Sequence, residues 1–149
     1  MRKSILFIIT ALCLSACSGD IVYSHFYPMK SNEWHMDSIV SFDYTIDDAN
    51  ASYNMIVYVR HTERYPYQNM WLFINNAGKT DTIEFYLADD RGQWLGDQHH
   101  GIIEMPVLYE DAKQFADTGV YQLSVQQGMR EEMLQGITDI GLEIRRNEE

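Results

Sequence analysis

Two cysteines are all the chain has, and both lie near its start, at Cys13 and Cys17. Beyond residue 17 there is therefore no disulfide, no thiolate metal site and no cysteine nucleophile. Only three prolines occur among 149 residues, and no low-complexity tract or internal repeat breaks the chain. That leaves no linker and no second domain. Basic residues are scarce: 11 Lys and Arg stand against 22 Asp and Glu. The deficit disfavours nucleic acid and direct contact with anionic headgroups; it suits a solvated acidic surface and a basic partner. No Gly-x-Ser-x-Gly elbow, phosphate-binding loop or Gly-rich dinucleotide turn is found, which removes the common signatures of hydrolases and nucleotide enzymes. The longest apolar stretch near the N-terminus, Ile5 to Leu14, is too short to span a bilayer as a helix.

That stretch has another use. Arg2 and Lys3 precede it, and Leu14-Ser15-Ala16-Cys17 follows. Together they resemble the signal peptide and lipobox of bacterial lipoproteins, in which the signal is cut before a lipid-bearing cysteine. On this reading residues 1–16 are a signal peptide, Cys17 is the acylated, palmitate-bearing attachment point, and the mature chain has 133 residues. That length suffices for one domain with a real core. The signal takes two basic residues and no acidic one, so the mature net charge is −13. Serine rather than aspartate at position 18 points to the outer membrane. The absence of an acidic cluster in Gly19-Asp20-Ile21-Val22 points to the periplasmic side.

Residues 17–37 read as a lipid-anchored lead-in, with Trp34 and the Tyr23, Phe26 and Tyr27 group able to pin it onto a domain spanning 38–149. From there the hydrophobic pattern has period two, the mark of a half-buried strand. Val40, Phe42, Tyr44 and Ile46 share one face; so do Tyr53, Met55, Val57 and Val59. Ile83, Phe85 and Leu87 alternate with Thr82, Glu84 and Tyr86. Tyr121, Leu123 and Val125 form another set, and Ile140, Leu142 and Ile144 the last. Met70 to Ile74 is a continuous apolar run, as in a strand buried on both faces. A further strand is predicted over Ile102 to Leu108, with Pro106 sending it to an edge or a bulge. Short helices are predicted over Tyr109 to Ala116 and Met129 to Leu134. The fold class is all-β: an antiparallel β-sandwich or jelly roll of about seven or eight strands with one or two short helices. Asp117-Thr118-Gly119-Val120-Tyr121 looks like the tyrosine turn of immunoglobulin-like sandwiches, which makes Tyr121 structural.

The densest chemistry lies in ADDRGQWLGDQHHG, residues 88–101. Asp89, Asp90 and Gly92 suit a tight turn, where carboxylates cap backbone amides and glycine supplies positive φ. Gly96 to Gly101 reads as a second, flexible loop. His99 and His100 are adjacent, so in extended chain they point to opposite sides and chelate poorly; no metal site and no cofactor are expected. Acidic residues are too common for any pair to single out a glycosidase, and no catalytic residues are assigned. The other histidines, His25, His35 and His61, read as surface or core residues. Tyr67, Trp71 and Trp94 stand beside loops. If exposed they offer faces on which a sugar stacks; if buried they are ordinary core. The candidate interaction surface is therefore Tyr67, Trp71, Asp89, Asp90, Arg91, Trp94, His99 and His100.

Taken in order, several segments resemble the GldH family of gliding-motility lipoproteins from Bacteroidetes. They are the lipobox, Arg60-His61, Tyr65 to Ile74, Asp81 to Asp89, Gly92 to Gly96, Gly119-Val120-Tyr121, Gln127 to Arg130, Leu134 to Ile137 and Asp139 to Leu142. The resemblance implies a small non-catalytic outer-membrane lipoprotein. It would act as an interaction or scaffold component, with envelope proteins of a motility or type IX secretion complex as partners. It carries over no catalytic residue. The alternative is a periplasmic carbohydrate-binding jelly-roll module.

Overall fold

The computed structural model describes residues 20–148. The expected signal peptide and Cys17 lie outside these residues. Among the described residues eleven strands are present: β1 (Ile21–Pro28), β2 (Glu33–His35), β3 (Val40–Ile46), β4 (Tyr53–His61), β5 (Asn69–Asn76), β6 (Lys79–Tyr86), β7 (Asp97–His99), β8 (Ile102–Lys113), β9 (Gly119–Gln127), β10 (Met133–Gln135) and β11 (Ile137–Arg146). Three have only three residues, which is why the count exceeds the seven or eight expected. Two main sheets form, in the orders β1-β11-β4-β8-β7 and β3-β9-β5-β6, with a small β10-β2 pair beside them. All pairings are antiparallel.

The period-two faces become the core between the sheets. Val57, Val59, Ile140, Leu142 and Ile144 from one sheet meet Phe42, Tyr44, Leu72, Ile74, Leu123 and Val125 from the other. Burying a side chain of this size contributes about 1.5–3 kcal/mol before the entropy of ordering it. The continuous run in β5 is not buried on both faces, however. Met70, Leu72 and Ile74 face the core, whereas Trp71 and Phe73 are more than a third exposed on the outer face. A run of apolar residues alone cannot tell a strand buried on both faces from one with an aromatic outer face.

The lead-in is built into the fold. β1 pairs with β11 along its length, from Ile21 opposite Arg145 to Pro28 opposite Asp139. Tyr23 packs on Tyr44, Tyr27 on Phe42 and Phe26 on Tyr58. Trp34 is fully buried and donates its indole N–H to the Ser38 carbonyl at 2.9 Å.

Neither expected helix forms. Tyr109 to Lys113 continue β8: the Tyr109 hydroxyl donates to Asp81 Oδ2 at 2.8 Å, and the Ala112 amide to Asn54 Oδ1 at 2.9 Å. Phe115 then turns into the core. Over Met129 to Leu134 the buried Gln127 side chain holds the backbone open. Its Oε1 accepts from the Met129 amide at 2.9 Å, and its Nε2 donates to the Glu131 carbonyl at 2.7 Å. The one helical piece among the described residues is a 3₁₀ turn, Lys30–Asn32. Pro106 fits the edge expectation: β7 pairs with β8 only at Ile102 to Glu104, so beyond that point β8 is an open edge, and Pro106 lies opposite Tyr58 of β4 on the other side.

The Tyr121 hydroxyl donates to the Asp117 carbonyl at 2.6 Å, closing the turn before β9 as the sequence suggests. Its ring stacks on Tyr44 and touches Phe115. Tyr121→Phe keeps the ring and loses the bond, so a loss of roughly 1 kcal/mol is expected, read from urea unfolding. An unchanged midpoint would mean the bond adds nothing net.

The sandwich has two distinct ends. At one lie Asp20, the 47–52 loop, the Ala77-Gly78 hairpin, the 114–118 turn and the end of β11. At the other lie the segments 29–39, 62–68, 87–101 and 128–136. The longer loops are gathered there, and so are the aromatic residues singled out from the sequence.

Candidate functional site

Residues 87–95 form a tight turn closed by Asp89. Its Oδ1 accepts from the Arg91 and Gln93 amides, both at 2.9 Å, while its own amide donates to the Gln93 carbonyl at 2.9 Å. Gly92 sits at φ +78°, where glycine escapes the Cβ penalty. Asp89 is thus a turn residue, and Asp90 is left pointing out. His99 and His100 are not in a flexible loop. His99 ends β7 opposite Ile102, and His100 (φ 51°) with Gly101 (φ 80°) makes a two-residue hairpin into β8. Among the described residues no three His, Cys, Asp or Glu side chains converge on a possible metal position. The fourteen-residue stretch is therefore two turns, and its acids and imidazoles do not form one centre.

The 62–68 loop is tied to this turn. The Gln68 carbonyl accepts from the Leu87 and Ala88 amides at 2.8 and 3.1 Å, and the Gln68 carboxamide donates to the Asp89 carbonyl. Tyr65 is buried, with its hydroxyl on the Asn69 carbonyl at 2.7 Å; burial raises its pKa. Tyr67 next to it is half-exposed and donates to Glu131, which raises its pKa as well.

Two grooves meet at Tyr67. One, of about 450 Å³, is lined by Tyr67, Asn69, Trp71, Gly128, Met129 and Arg130. The second, of about 400 Å³, runs between the 65–68 loop and Ala88, Asp90, Gly92 and Trp94. Of the residues chosen from the sequence, Tyr67, Trp71, Asp90 and Trp94 come together here. Asp89 supports the turn beneath, Arg91 is at its exposed tip, and His99 and His100 line neither groove. Sequence reasoning missed Met129 and Arg130, because it placed them in a helix. The signal that finds them is spatial: β9 ends at Gln127, and the chain turns beside Trp71.

Behind Trp94 lies His61. It is fully buried, its ring 4.7 Å from that of Trp94 and 5.7 Å from that of Tyr65. Nδ1 is 3.0 Å from the Thr62 carbonyl, and Nε2 has no partner among the described residues. Burial lowers the His61 pKa, with the Thr62 carbonyl offsetting part of the effect. Below a pH of about 6.5 the unfolded chain takes up a proton that the folded chain refuses. The stability that depends on His61 is therefore complete above that pH and is lost progressively as pH falls from it toward the lowered folded value. In paired urea titrations from pH 7.5 to 5.5, His61→Phe is expected to lose less than the parent chain. Equal losses would remove His61 as the source.

What fold and site define is a class: an antiparallel β-sandwich with aromatic grooves on the loops of one end. A family model described as "GldH lipoprotein" matches residues 21–144. The chain is 30% identical to the gliding motility lipoprotein GldH homolog of Christiangramia forsetii, over 96% of this chain and 94% of that protein. It is 29% identical to the gliding motility lipoprotein GldH of Flavobacterium johnsoniae, over 99% of each. The chain belongs to the GldH lipoprotein family. It is a GldH-like, membrane-anchored lipoprotein of a family linked to gliding motility.

Proposed function

We propose that this lipoprotein is a non-catalytic interaction or scaffold component of a gliding or type IX secretion assembly, held in the outer membrane through Cys17 and facing the periplasm. The observation that carries the reading is the meeting of two aromatic-walled grooves at Tyr67, at the end of the sandwich opposite Asp20. Only Ser18 and Gly19 separate Cys17 from Asp20, a span of about 10 Å at full extension. A lipid at Cys17 therefore keeps the Asp20 end beside the bilayer and directs the grooves away from it. Ser18 supports the outer membrane. The dispersal of Asp89, Asp90, His99 and His100 into turns supports a role without bond-making chemistry.

The test is capture of the lipidated chain from crosslinked envelopes, with Cys17→Ala as control. Recovery of defined motility or secretion proteins by the anchored chain, reduced in the control, is the expected result. No specific recovery, together with unchanged motility and secretion in a deletion strain, counts against the role. One observation favours a second reading, the carbohydrate-binding module: Trp71 is 38% exposed and lines a groove with Tyr67, a platform on which a pyranose face stacks.

A further inference from the structure

We infer that the Tyr67–Trp71–Arg130 groove binds an extended, acidic polypeptide segment of a partner protein. The inference rests on the interaction reading above and gives the partner its chemistry.

The first ground is an unfinished ladder. β5 begins at Asn69, but β9 pairs with it only from Leu72, opposite Gln127. The Gly128 amide adds one bond to the Trp71 carbonyl at 2.7 Å, and the chain then turns off. The Trp71 amide, on the same side of β5, reaches only the Met129 sulfur at 3.4 Å. A thioether is a weak acceptor, and an unbranched methionine moves aside readily. A backbone carbonyl of an extended segment is the stronger acceptor, and placed in the groove it takes the Trp71 amide where β9 leaves it, while the Asn69 carbonyl on the same side stays with the Tyr65 hydroxyl.

The second ground is the distribution of cations. Five of the described lysines and arginines are in ion pairs: Arg60 with Glu104, Lys79 with Asp81, Lys113 with Glu110, Arg145 with Glu143, and Arg146 with Asp47. Among the described residues the four without an ion pair are Lys30, Arg64, Arg91 and Arg130. All four are exposed, and all four lie in loops of the groove end. Nearby acids are partly engaged: Glu131 holds the Tyr67 hydroxyl, Glu84, opposite Trp71, holds the Asn69 carboxamide at 2.6 Å, and Asp89 holds its turn. Arg130 is the charged residue of the first groove and Asp90 that of the second, so an acidic side chain is steered to the first. The repulsion from the net negative domain is screened over about 8 Å at physiological salt, whereas a carboxylate meeting Arg130 is in direct contact.

The third ground is residue type. Trp, Tyr, Met and Arg are enriched in protein interfaces, and Trp, Tyr and Arg are the side chains that carry most of their binding energy. Trp71 and Tyr67 both line that groove.

The experiment uses the lipidated full chain in detergent and two fluorescent ten-residue peptide libraries. In one, alternate positions are Asp or Glu; in its twin they are Lys. The acidic library is expected to bind, with affinity falling about tenfold or more in Arg130→Glu and in Trp71→Ala, and with little change in Lys79→Glu. Both key side chains are exposed, so the variants should stay folded; Arg130→Gln, with an intermediate loss, separates charge from shape. Equal binding of both libraries, binding of neither, or indifference to Arg130→Glu overturns the inference. So does Trp71-dependent binding of purified envelope polysaccharide that excludes the peptides, which assigns the groove to a glycan. In crosslinked envelopes the two readings separate. A partner retained by Arg130→Glu sinks this inference and leaves the interaction reading standing. No partner for the parent chain sinks the interaction reading itself.

Discussion

Gly136→Ala is expected to destabilise the protein by about 3–4 kcal/mol, a large part of the 5–15 kcal/mol that holds a typical domain folded. Gly136 has φ +83°, and a Cβ there would fall on the Tyr65 amide nitrogen and 2.8 Å from the Arg64 carbonyl carbon. Neither neighbour is a side-chain tip that can swing away. Both belong to backbone held in the loop that carries Tyr67. Gly136 also donates to the Asn32 carbonyl at 2.9 Å and accepts from the Thr62 amide at 2.8 Å, so a shift to relieve the clash breaks bonds to two other loops. A matched control is available in Gly78, also at φ +83° but with nothing within 4 Å of an added Cβ. Gly78→Ala should cost only the left-handed penalty, about 1–2 kcal/mol. The difference between the two urea-unfolding free energies isolates the backbone clash. If the two variants are equally destabilised, the close approach of the 62–68 and 136 segments is wrong.

Trp34→Ala is expected to cost about 3–5 kcal/mol, as for other large aromatic deletions from a core. The indole is fully buried, and its removal also leaves the Ser38 carbonyl without its 2.9 Å donor. Trp34 lies in β2, which pairs with β10 through Leu134. Trp34 also offers its carbonyl to Gln127, the residue that holds the loop of Met129 and Arg130. The variant keeps that carbonyl, so the groove is disturbed only as far as β2 shifts into the space the indole leaves. A loss below 1 kcal/mol in calorimetry or urea unfolding would mean that residues 21–37 only decorate the domain. Trp71→Ala gives the contrast, since its side chain is partly in solvent already.

The strands were legible because each buries one face. Val40, Phe42, Tyr44 and Ile46 cannot all reach a core unless successive residues point to opposite sides, and that alternation is written in the residue order. The Tyr121 turn was legible for a similar reason: its bond runs to Asp117, four residues away. The Asp89 turn likewise closes within five residues. What failed to show was non-local. Met129 to Leu134 has helix-compatible residues, but Gln127 takes its backbone amide and carbonyl, and Gln127 is in turn placed by Trp34, 93 residues away. Tyr109 is drawn into a strand by Asp81, 28 residues away. The outer face of β5 is open because no further layer covers Trp71 and Phe73, which no spacing within β5 encodes.

By itself, then, the sequence determined the class of fold, the scarcity of cysteine and the acidic balance, and its Leu14 to Cys17 run is what the proposed tether is read from. Each is carried by residue type or by short-range periodicity. Tertiary structure alone decided that the 87–95 turn and two loops, 65–68 and 128–130, from separate parts of the chain meet at Tyr67. It also decided that Arg130 faces the same groove as Trp71, and that the cations without ion pairs all gather at that end. Those facts arise from antiparallel pairing, which returns the chain to the same end of the sandwich after every second strand. They depend on where each strand stops, and that is set by contacts with residues far away in sequence.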